Sequence, residues 1–144
     1  MKHLYNGVAA LLQSSIPELR WIDQDTGQLE YYTLRPGLDF PAALIDVSYP
    51  QCDNIGAGSE QRCAAEIIVR VVFEVWSDTN MSAPEEVRQL ALSMYDTLDL
   101  IRANLHNCKI ATGETLYRVS VRSEKREDGL KVFNIAFKTK TTEK

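Results

Sequence analysis

The side chains most able to do chemistry are three cysteines, Cys52, Cys63 and Cys108, with His106 close to the last. Thiolate and imidazole are the usual ligands of zinc, but such ligands come in close pairs. Ten residues separate Cys52 from Cys63, and only His106-Asn107-Cys108 is compact. A thiol nucleophile needs a base held against it. His106 is the candidate, yet this short spacing at a helix end does not aim one side chain at the other. His106 reads more simply as a polar residue suited to a helix C-terminus. Carboxylate pairs occur at Asp23 with Asp25 and at Asp96 with Asp99, and the second pair, flanking a helix stripe, reads as solvated. Gly56-Ala57-Gly58 lacks the lysine of a phosphate-binding loop and reads as a flexible turn. The expectation is a protein that is not an enzyme and uses no cofactor or metal. An odd cysteine count without a secretory signal points to reduced thiols, the alternative being a Cys52–Cys63 disulfide closing the loop between them.

A chain of 144 residues suits one α+β domain over residues 1–144. With 44% hydrophobic and 25% charged residues it has the composition of a folded protein rather than a disordered one. The net charge of -4 gives no general pull toward nucleic acid, so sequence-specific nucleic-acid binding is not expected. No apolar run approaches the roughly 20 residues of a membrane helix, and no membrane partner is expected. The N-terminus does not read as a signal peptide, so a cytosolic protein is expected.

These side chains must be positioned by elements that the apolar pattern predicts. Leu4, Val8 and Leu11 predict a helix over 2–13, weakened by Gly7 and ended by Pro17. Residues 18–23 and 28–33 flank a turn containing Gly27 and read as a short hairpin. Strands follow over 40–49 and 63–76, with an irregular loop over 50–61. Ser82-Ala83-Pro84-Glu85 matches a capping box with Ser82 as N-cap. Val87, Leu90, Ala91, Met94, Leu98, Ile101 and Leu105 then form one continuous helical stripe. A final hairpin turns at Asp128-Gly129, and the polar tail from about 139 reads as frayed. The sum is a mainly antiparallel sheet with two helices packed on one face.

Three places suggest assembly. On the strand 66–76, Ile67, Val69, Val71, Phe73 and Val75 share one face, but Ile68, Val72 and Trp76 make the reverse face half apolar. A solvated face would not need them. Their cover is either a second layer from within the chain, such as the 18–33 hairpin with Trp21, or a neighbouring subunit. The polar loop with Asp53, Asn54 and Ile55 is the second place. The third is the last hairpin, where Arg118, Arg122, Lys125, Arg126 and Lys131 concentrate positive charge. That run reads either as a solvated tip interleaved with Glu124, Glu127 and Asp128, or as a contact to an acidic partner or to DNA phosphates. The loop and the last tip are expected to become ordered on partner contact.

The stretch Phe40-Pro41-Ala42-Ala43-Leu44-Ile45-Asp46-Val47, the glycine-containing polar loop, and Gln61 leading into Ala65-Glu66-Ile67-Ile68-Val69-Arg70-Val71-Val72-Phe73 carry a family resemblance. With the helix and final hairpin, the chain resembles the tail terminator, or tail completion, proteins of long-tailed bacteriophages and prophages over nearly its whole length. Other small tail and head–tail joining proteins share that order of elements. The resemblance implies a structural ring subunit, commonly of a hexamer, that caps the tail tube and joins it to the head connector. It implies assembly in the host bacterial cytoplasm, then residence in the virion tail. The alternative is a non-viral α+β binding or assembly domain without catalytic activity.

Overall fold

The computed structural model describes residues 1–30, 37–75 and 79–144. The elements run α1 (Lys2–Ser15), β1 (Trp21–Gln24), β2 (Ala42–Asn54), β3 (Gln61–Glu74), α2 (Glu85–Ala91), α3 (Met94–Leu105), β4 (Cys108–Lys109), β5 (Thr115–Ser123) and β6 (Leu130–Glu143). The strands form one six-stranded sheet in the order β1-β2-β3-β6-β5-β4. The architecture is α+β.

The sheet is mixed, against the expectation of a mainly antiparallel one. β1 lies parallel to β2, in register Trp21↔Ala42 to Gln24↔Ile45, while the other neighbours run antiparallel. The predicted 18–33 hairpin is therefore replaced. Its first half pairs with β2, so Gln24 and Ala42 are joined by a long crossover, as parallel neighbours require. Glu30 N–H closes a turn on Gly27 O at 3.1 Å, and residues 31–33 lie outside the described residues.

The predicted 50–61 loop is ladder at both ends and turns only over 55–60. Beyond an irregularity between Ser48 and Gln51, β2 and β3 pair from Gln51↔Ala64 to Asn54↔Gln61. The tail expected to fray is the end of β6, paired with β3 as far as Gln61↔Glu143. Polar composition misled in both places, because ladder bonds join backbone groups whatever the side chains are.

The predicted single helix over 82–105 is two helices. Pro84, not Ser82, is the N-cap of α2. Asn80 Oδ1 instead accepts the Ser82 N–H at 2.9 Å, a local turn that competes with the capping box. At the junction, Ser93 Oγ donates to Leu90 O at 2.7 Å. The stripe divides there: Leu98, Ile101 and Leu105 are buried, whereas Val87 and Leu90 are exposed.

α1 and α3 cover one face of the sheet. Leu4, Val8 and Leu12 from α1 and Ile101 and Leu105 from α3 pack on Ile45, Ile67, Val69, Ile135 and Phe137. Gly7 belongs to this contact, since an added Cβ would stand 2.9 Å from the Ile110 Cβ. On the reverse face a smaller cluster gathers Leu29, Ala42, Leu44, Val72, Leu130 and Val132.

Candidate assembly surfaces

On the reverse face of β3, the residues Val72, Arg70, Ile68, Glu66, Ala64 and Arg62 succeed one another. Each stands opposite a β6 residue, from Val132 at one end to Thr142 at the other. This row passes from covered to open. Val72 is wholly buried in the reverse cluster with Leu29 and Leu130, against which Trp21, Leu38 and Phe40 of the same chain pack. It offers no side-chain surface to a partner. Ile68 is half-buried, opposite Asp46 and Ala136. Trp76 lies outside the described residues.

Between Val72 and Ile68 sits a buried charge network absent from the sequence reading. Arg70 donates to Glu30 Oε1 at 2.7 Å and to Glu124 Oε1 at 2.6 Å, and reaches Asp25 Oδ2 at 3.4 Å. Asn134 Nδ2 donates to the same Glu124 oxygen at 3.0 Å. Arg126 bonds Glu124 Oε2 at 2.8 Å and Asp128 Oδ2 at 2.7 Å, and also donates to the Leu29 carbonyl. Its side chain is 1% exposed, which overturns its reading as a solvated tip or contact residue. Only the pairing explains so deep a guanidinium, since an unpaired buried charge is strongly unfavourable.

The network also sets ionisation. Burial pushes the Glu124 carboxyl up, but hydrogen bonds from Asn134, Arg126 and Arg70 outweigh it and hold Glu124 below its ordinary value. The hydrogen bond from Arg126 holds Asp128 down, and Arg126 itself is raised. The network ties residues 25–30 to the tip of the β5–β6 hairpin. Arg122 and Lys125 of that hairpin are exposed.

At the opposite end of the sheet, Asp53 and Asn54 are exposed on the last rungs of the β2–β3 ladder. Gln51 Nε2 donates to Asp53, and Gln61 Nε2 donates to Asn54 Oδ1 at 3.0 Å. Ile55, half-buried, closes the tip through its N–H to Glu60 O at 2.9 Å. Cys52 stands directly opposite Cys63. His106 and Cys108 do different work: the His106 Nδ1 accepts the Arg118 N–H at 3.0 Å, and Cys108 pairs with Leu116 in the sheet. Among the described residues, no group of three or more His, Cys, Asp or Glu side chains is placed to hold a metal ion.

Both long edges of the sheet are open among the described residues. β1 covers β2 only to Ile45, leaving 46–54 without an outer neighbour. β4 covers β5 only at Thr115 and Leu116; beyond them the His106 ring takes the Arg118 N–H, and 119–123 are open. The first edge carries Asp46 and Asp53, and the second carries Arg118 and Arg122. Tyr117, Val119 and Val121 on the second edge are 49%, 51% and 39% exposed. An irregularity between Arg118 and Ser120 turns Tyr117 and Val121 to different faces, since Tyr117 pairs with Lys138 and Val121 with Ile135. In the sequence Tyr117, Val119 and Val121 alternate with polar residues, but alternation alone does not tell an edge from a core strand.

No protein family matches the chain, and no curated protein does. Among solved structures it is similar to a chain of the virion of a native gene transfer agent particle. The identity is 8% and the TM-score 0.44, with 94% of this chain and 84% of that chain covered. No helix is long and apolar enough to cross a membrane among the described residues.

Proposed function

We propose that this chain is a structural subunit of a phage particle. More specifically, it is a tail terminator or completion protein that closes into a ring, caps the tail tube and meets the head connector. It acts by geometry rather than catalysis, assembling in the bacterial cytoplasm and remaining in the virion tail. The family resemblance supports the phage setting. One observation supports the ring: two open strand edges of opposite charge stand at opposite sides of one sheet, Asp46 and Asp53 on β2 against Arg118 and Arg122 on β5. Unpaired edges template strand addition. Unlike edges attract and like edges repel, which favours a head-to-tail contact, and a head-to-tail contact generates a ring where its rotation closes. Pro50 withholds one donor on the acidic edge, so pairing there falls to either side of it.

Charge reversal tests this reading. Light scattering on the wild-type chain, alone or with tail tube protein, is expected to give a mass several times 16.3 kDa. Asp46→Lys with Asp53→Lys should release monomer, and so should Arg118→Glu with Arg122→Glu, with unchanged circular dichroism. Mixing the two variants should restore a complex, because each then presents one reversed edge to the other. A monomer at all concentrations with and without tube protein would overturn the ring, and assembly indifferent to both reversals would overturn the edges.

A further inference from the structure

The Cys52–Cys63 pair is a feature separate from the edge charges of the proposed ring, although Cys52 lies on the same stretch of β2 as Asp53. The two residues are direct cross-strand partners in the β2–β3 ladder, between the irregularity at Ser48/Gln51 and the tip. Their sulfurs stand 2.8 Å apart, with Cys52 donating to Cys63, and both are free thiols. Cross-strand partners hold their Cα atoms about 4.5–5.5 Å apart, within the span a disulfide bridges without moving the backbone. The two differ in access: Cys52 is exposed, while Cys63 is 1% exposed beneath the ladder. The hydrogen bond with Cys52, and after it burial, push the Cys63 thiol up to about 11.

We infer that Cys52 and Cys63 form a redox clip, which closes to a disulfide when the protein meets a low-molecular-weight disulfide and then locks the β2–β3 arm. The exposed Cys52 loses its proton to solvent, and its thiolate attacks one sulfur of the small disulfide. That S–S bond breaks, a mixed disulfide forms on Cys52, and one small thiolate leaves. Cys63 then gives up its proton and attacks the Cys52 sulfur. The mixed bond breaks, the protein S–S bond forms, and the second small thiolate leaves. Both leaving thiolates are protonated. The protein thiols are thus oxidised by two electrons and the small disulfide is reduced by two. Order follows from access, because the thiol that solvent reaches is attacked first and the covered one resolves. A reducing cytosol keeps such a pair open, and an oxidising medium closes it. Cys108, part-covered in β4 opposite Leu116, has its in-sheet partner in a residue without a thiol.

The test exposes the full chain to mixtures of oxidised and reduced glutathione, quenches with an alkylating reagent, and maps the peptides by mass. Expected is loss of two thiols together, about 2 Da of mass, and one crosslinked peptide joining Cys52 to Cys63, with Cys108 still alkylated. Cys63→Ser should stop at a stable glutathione adduct on Cys52, and Cys52→Ser should leave Cys63 unmodified. Amide exchange over 53–60 should slow several-fold in the oxidised wild type, reverse with dithiothreitol, and stay unchanged in Cys63→Ser. The proposal is overturned if the wild type accumulates the Cys52 adduct without the crosslink, if all three thiols survive oxidised glutathione, or if the disulfide formed joins two chains.

Discussion

The two hairpin tips reverse the character that their compositions suggest. The β2–β3 tip, written in Gly, Asn, Asp and Ser, is regular ladder to Asn54↔Gln61, yet nearly all of 51–60 is exposed. The β5–β6 tip, written as alternating charges, buries a guanidinium to 1% exposure. The difference lies in what approaches each tip. Residues 25–30 come down on the β5–β6 tip and bring Asp25 and Glu30 to Arg70 of β3 and the Leu29 carbonyl to Arg126. Among the described residues, the side-chain bonds at the β2–β3 tip are local to the hairpin, and β6 reaches it only as far as the last rung, Gln61↔Glu143. Charge follows its partners into the interior, and a polar ladder without a covering element stays in water.

The strongest way to break this comparison is to remove the buried cation. Arg126→Ala leaves Glu124, Asp128 and the Leu29 carbonyl short of a donor. It should destabilise the chain by about 3–5 kcal/mol in urea unfolding, as expected when one partner of a buried pair is deleted. Its neighbour Lys125 is exposed, and Lys125→Ala should stay within about 0.5 kcal/mol. Similar small effects at both positions would return Arg126 to the solvated tip of the sequence reading.

Acid gives a smaller and graded effect. The carboxyls of Glu124 and Asp128 are held below their ordinary values of 4.5 and 3.8. A carboxyl depressed in the folded state binds fewer protons there than in the unfolded chain. Its contribution is therefore complete above the ordinary value and is lost as pH falls through the folded one. Melting temperature should change little around neutrality and fall once pH drops below 4.5. Glu124→Gln, less stable at neutral pH, should show a shallower acid limb. An equally steep limb in Glu124→Gln would place the acid sensitivity elsewhere, with Glu114 and Glu143, also held low, the next to examine.

The same contrast explains what could be read from the sequence. α1, the core row of β3 and the buried half of the α3 stripe were legible, because burial there follows a single period of 3.6 or 2. The break at Leu90–Ser93 was not, since Val87 and Leu90 keep the period of Leu98 and Ile101 while lying exposed. The parallel β1–β2 pairing depends on a crossover that no local pattern encodes. Among the described residues Asp53, Asn54 and Arg122 are exposed, while Val72 and the Arg126 side chain are covered from within the chain, Val72 by the inner layer that the sequence left open beside a neighbouring subunit. No local pattern gives the approach of Asp25, Leu29 and Glu30 to Arg70 and Arg126.

The finest test uses the one feature the two tips share. Gly56 and Gly129 have φ of +67° and +77°, and an added Cβ meets nothing within 4 Å at either. Gly→Ala at each therefore introduces the same left-handed strain, about 1 kcal/mol, with no clash to confuse it. The readouts should differ. At Gly129 the Arg126–Asp128 bonds and the Leu130 N–H on Asp128 Oδ1 fasten the turn to the buried network. The strain then appears in global unfolding. At Gly56 the turn opens without disturbing the core, so the strain should appear mainly as faster exchange of the Ile55 amide, with a smaller change in global stability. Equal global losses would mean that the β2–β3 arm unfolds only with the whole domain, leaving its exposure without any matching freedom to open.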